Sequence, residues 1–80
     1  MKLEALQGQK GIHAVNIHII GNIDGTGTMS WKAAGKSKNV SGKVDLNWNN
    51  EWYESSCIID YKPITARSGE ILIYYKFEDI

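Results

Sequence analysis

Few side chains in this 80-residue sequence could do covalent or acid–base chemistry: one cysteine, Cys57, and two histidines, His13 and His18. A cysteine nucleophile needs a base within hydrogen-bond reach and a third group to orient that base. Cys57 and His13 fall on the inward parity of the expected fourth and first strands, so they meet only if a sheet closes on itself. A core thiol and a hydrogen-bonded histidine are the simpler reading. His13 and His18 point to opposite faces of one extended segment, so they cannot share a metal, and no Cys/His cluster has zinc spacing. Asp24-Gly25-Thr26-Gly27 is glycine-rich enough to cradle an ion. No Lys follows it and no helix opens there, so it reads as a turn and not as a phosphate loop. Asp45 and Asp60 are single carboxylates on wet faces. The expectation is a protein with no catalytic residues, no metal site and no cofactor.

Binding chemistry is better represented. Of the three tryptophans, Trp31 reads as core. Trp48 and Trp52 flank Asn49-Asn50 and are candidates for a partly exposed pair at the end of a sheet. Exposed Trp is enriched at protein-binding hot spots and also stacks on bases; the plainer alternative is a cross-strand pair that stabilises the sheet. Ile58, Leu72 and Tyr74 occupy the polar parity of two strands expected to be neighbours, which makes an outward apolar patch. Ile12, Ala14 and Ile20 make a second. Such patches on a small protein mark contact with something. Lys32, Lys36, Lys38 and Lys43 lie in one window that contains no acidic residue.

Composition narrows the classes. The formal net charge is zero, whereas a dedicated nucleic-acid domain is usually clearly basic. No apolar run approaches the ~20 residues that span a membrane, and the first ten residues lack the apolar stretch of a signal peptide. A cytoplasmic protein with a reduced Cys57 is expected. Residues 1–80 read as one domain, near the lower size limit for folding without staples.

The elements that must position these residues follow from a period of two. Val40, Gly42, Val44, Leu46 and Trp48 alternate with polar residues, and after Asn49-Asn50 the apolar parity changes to Tyr53, Cys57, Ile59 and Tyr61. An even-length loop does this, and Asn tolerates the positive φ of a tight hairpin turn. A Val40–Tyr61 hairpin is therefore expected, with Leu46 facing Tyr53. Residues 12–20 read as a strand with His13, Val15, Ile17 and Ile19 inward, and residues 28–34 as a strand with Met29, Trp31 and Ala33 inward. Residues 70–77 read as the last strand, with Ile71, Ile73, Tyr75 and Phe77 inward. The segment Gly21–Gly27 reads as a loop between the first two strands, and Trp31 is expected to cover Gly42. The fold expected is all-β: a five-stranded antiparallel meander curled into a small, partly closed barrel, preceded by a short N-terminal element that fits helix and strand equally. In that meander the acidic loops collect at one end and the basic loops at the other.

The function that follows is a non-catalytic module that binds another protein, such as an inhibitor or accessory subunit, or a second copy of itself. Trp48, Trp52, Ile58, Leu72 and Tyr74 are its expected contact residues. The alternative is a small barrel that binds single-stranded nucleic acid through Lys32, Lys36, Lys38 and Lys43 and exposed tryptophan.

Overall fold

A computed structural model describes residues 1–80. The chain is nearly all strand, and every strand pairing is antiparallel. The strands are β1 (Lys2–Glu4), β2 (Ala14–Trp31), β3 (Lys36–Glu51), β4 (Ser56–Ile58), β5 (Asp60–Pro63) and β6 (Gly69–Glu78). The ambiguous N-terminal element is the short strand β1. It pairs with β4 in a separate two-stranded sheet, with Leu3 opposite Cys57.

Two long strands dominate, and their hairpin is not the one expected. β2 and β3 pair from Ala14 opposite Glu51 to Trp31 opposite Lys36. They are joined by a single 3-10 turn, Lys32–Ala34, closed by Gly35 at φ 68°. Asn49 and Asn50 lie inside β3, opposite Asn16 and Val15, and Leu46 faces Ile19, not Tyr53. The physical reason is visible in the backbone: no residue other than glycine has a positive φ, so Asn49-Asn50 makes no type I′ turn. The parity change arises because β3 ends at Glu51 and the chain runs irregularly to Ser56.

The segment Gly21–Gly27 is not a loop either. It lies within β2, where two extra residues between Ile23 and Thr26 break the register with β3. Gly25, at φ 113°, has no room for a side chain: a Cβ there would stand 2.8 Å from Ala66 N and Thr65 O. The segment between β5 and β6 seats in this bulge. The Ile64, Thr65 and Ala66 amides donate to the Thr26 carbonyl, and the Thr26 amide donates to Thr65 Oγ1 at 2.9 Å. Glycines that permit close backbone approach look the same in sequence as glycines that make turns.

The order of strands is not a meander. β2 is the hub: β3 pairs along one edge, while the other edge is shared by β6, against Ala14–Ile23, and β5, against Gly27–Ser30. The sheet does not close into a barrel. It folds over instead. Eighteen residues in a straight strand would span about 56 Å, yet the longest dimension of the whole chain is 40 Å. Trp48 sits opposite Ile17, which on a straight strand would be ~46 Å from Trp31; the Trp31 and Trp48 rings are 6.4 Å apart. Gly25 and Gly42, at the register break midway along the hairpin, both have positive φ. Gly42 is exposed opposite Ile23, with nothing near its Cβ position, so Trp31 does not cover it.

The core lies inside this fold-over. Val15, Ile17, Ile19, Ile23, Met29 and Trp31 from β2 meet Val40, Val44 and Trp48 from β3, with Leu3, Cys57, Ile59 and Phe77 completing it. The inward parity expected on these strands is correct for all of those residues except Leu3 and Ile23, which lie outside the expected strands. His13, Ala33 and Tyr53 are exposed because they lie outside the strands, whereas Tyr61, opposite Met29, and Tyr75, opposite Ile17, keep the inward parity but stay exposed on edge strands. The expected separation of charge also fails. The Lys10 carbonyl accepts from the Ile80 amide near Glu78 and Asp79, and Arg67 donates its amide to the Asp24 carbonyl, so opposite charges share both regions.

Candidate protein-binding face

The outer face of β3, β2 and β6 is built from the even-numbered residues of β2 and the residues opposite them. Directly opposite residues share a face with Cβ atoms about 4.5–5.5 Å apart. One row is Asn47, His18 and Tyr74; the next is Asp45, Ile20 and Leu72; a third is Asn49, Asn16 and Lys76. Tyr74 is 57% exposed and Leu72 44%. With the half-buried Ile20 they form an apolar centre on this three-stranded face. Polar side chains rim it: His18 Nε2 lies 2.8 Å from Asp45 Oδ1, and Asn16 Nδ2 donates to Glu78 Oε1 at 2.8 Å.

Leu72 and Tyr74 are thus in one patch, as expected, but their neighbours differ. Tyr74 faces His18, not Ile58. Ile58 is exposed on β4 opposite Lys2, in the other sheet. Ile20, assigned by parity to a separate patch, joins Leu72 because β6 returns to β2. Nothing in the spacing of residues revealed that pairing.

Trp48 and Trp52 do not form an exposed pair. Trp48 is buried, and Trp52 is half-buried with its ring 5.1 Å from Trp31. The Trp52 Nε1–H donates to the Ser56 carbonyl at 2.8 Å, which pins the ring over the core. Tryptophan here closes the two ends of the fold-over.

The lysines are only partly gathered. Lys32 and Lys36, with Lys62, line a polar groove of about 570 Å³ that also includes Thr28, Ser30, Ser37 and Asp60. Lys38 lies opposite Met29 and Lys43 opposite Asn22, outside that groove. No aromatic side chain lines it, so the stacking surface of a single-strand binder is missing.

Cys57 is buried, and burial pushes its thiol up to about 11. A thiol that keeps its proton at neutral pH is a poor nucleophile. His13 is exposed just before β2, where its backbone bonds Trp52 and Glu78. Asp24 uses its backbone to seat Arg67 and Ser68 in the bulge. The chain contains no helix long and apolar enough to cross a membrane. No family of known proteins, no curated protein and no solved structure matches this chain.

Proposed function

We propose that this chain is a non-catalytic protein-binding module of the inhibitor or accessory type, and that its contact surface is the outer face of β3, β2 and β6. The observation that carries the reading is the Ile20–Leu72–Tyr74 centre, with Leu72 and Tyr74 exposed and Ile20 half-buried, ringed by Asn16, His18, Asn47 and Lys76. An apolar centre with a hydrogen-bonding rim is the anatomy of a protein interface. The partner it suits presents an apolar side chain among backbone or amide polar groups. A photo-crosslinking residue at position 74 should capture a discrete partner in the native host, and Leu72→Ser should abolish the capture. The same probe at Ser41, on the polar face of β3, should capture none. Equal capture at both positions refutes the proposal.

A second reading rests on the groove lined by Lys32, Lys36 and Lys62. Three cations beside hydroxyl groups suit a phosphate-bearing strand, whose binding is strongest at low salt. Lys36→Ala should then weaken oligonucleotide binding and flatten its salt dependence. No binding at ~50 mM salt removes this reading.

A further inference from the structure

The two long edges of the main sheet are treated differently. The free edge of β3 carries Lys36, Lys38 and Lys43 and is kinked at Gly42, and both devices discourage pairing with another strand. The free edge of β6 carries the corresponding residues, Gly69 and Lys76, only toward its ends. Its middle, Ile71-Leu72-Ile73-Tyr74-Tyr75, is apolar on both faces, and no residue in it is fully buried.

The backbone shows which groups this edge presents. The Glu78 carbonyl accepts from the His13 amide on the β2 side, whereas the Phe77 carbonyl accepts from Gln9 Nε2 at 2.8 Å. Along an antiparallel strand the two sides alternate. Ile71, Ile73 and Tyr75 therefore aim their N–H and C=O groups away from β2. Gln9 at Phe77 and Gly69, at φ 137°, mark the two ends of the free stretch.

We infer that β6 pairs antiparallel with β6 of a second copy, on a two-fold axis through Ile73. This inference concerns the strand edge and stands apart from the outside partner proposed above. The register follows from the charges at the ends of the apolar run. With Ile73 opposite Ile73 of the second copy, Tyr74 faces Leu72, Tyr75 faces Ile71, and Lys76 faces Glu70. Both copies contribute, so the Lys–Glu pair occurs at each end. A slip of two residues one way puts Glu78 against Glu70; the other way puts Glu70 against Tyr74. A slip of one residue sets inward side chains against outward ones. Ile71, Ile73 and Tyr75 supply about six ladder hydrogen bonds, and the Tyr74–Leu72 and Lys76–Glu70 pairs fall at the closer, non-hydrogen-bonded positions. Parallel in-register stacking would set Glu70 on Glu70 and Lys76 on Lys76. The same two charges thus favour a closed dimer and oppose an open fibre.

Sedimentation velocity from about 10 μM to about 1 mM, the range in which a single pairing edge is expected to associate, should show a monomer–dimer equilibrium. Lys76→Glu and Glu70→Lys should each weaken the dimer about tenfold, because two symmetric attractions become two repulsions. The double variant should restore it. Far-UV circular dichroism checks that each variant keeps its strands. A wild type that stays monomeric overturns the inference. So do single variants that dimerise like the wild type, or a double variant that is not rescued.

Discussion

Replacing Trp31 tests the fold-over directly. Trp31 is fully buried at one end of the long hairpin, and its ring meets Trp48 from the other end and Trp52 from the segment after β3. Truncating a buried Trp to Ala typically costs ~3–5 kcal/mol. An 80-residue domain at the usual stability per residue has ~4–12 kcal/mol in total. Trp31→Ala should therefore remove about a quarter of the stability or more. The corresponding fall in melting temperature exceeds about 12 °C, since each kcal/mol shifts a domain of this size by ~4–8 °C. Trp31→Phe is the informative control. The Trp31 Nε1–H is buried without a hydrogen-bond partner, and an unpaired buried donor costs ~1–3 kcal/mol. Phe keeps much of the ring and discards that donor, so its penalty should be well below that of Ala. Thermal unfolding followed by circular dichroism measures both. A fall of less than about 4 °C for Trp31→Ala, under 1 kcal/mol, would refute the closure of the hairpin by this ring. Equal losses for Phe and Ala would refute the unpaired donor.

Two glycines should separate in urea unfolding. Gly42→Ala meets only the backbone preference against positive φ, ~1–2 kcal/mol. Gly25→Ala adds a clash with the Thr65 and Ala66 backbone, for a total of about 2–5 kcal/mol. Equal losses would mean that the 64–68 segment does not seat in the bulge. Cys57 predicts a pH effect with a definite sign. Its thiol ionises near 9.0 in the unfolded chain and at about 11 in the fold. Between those values the unfolded state binds fewer protons, so stability is full below pH 9 and falls as pH rises toward 11. Cys57→Ala should remove that part of the slope in urea unfolding midpoints measured across the window; an unchanged slope would show the thiol is not held protonated.

Strand parity is a local property, and the sequence determined it well. Alternation in residues 15–19, 29–31 and 40–48 identified the core faces of β2 and β3, and Ile71, Ile73 and Phe77 were placed on the correct side of β6, because successive side chains in any strand point to opposite faces. All-β, antiparallel character was legible for the same reason. Partner choice was not. A period of two says which side chains share a face but not which strand lies alongside, so Val40–Glu51 could be matched to Tyr53–Tyr61 as readily as to Ala14–Trp31. Glycine compounded the ambiguity. Gly21, Gly25 and Gly27 satisfy a turn and a crowded bend equally well, and only contact with Glu70, Thr65 and Tyr61 shows that the bend is real. Tertiary structure likewise joined Ile20 to Leu72 and Tyr74 and separated Ile58 from them, since that grouping depends on β6 returning to β2 over a distance in sequence that no local pattern spans.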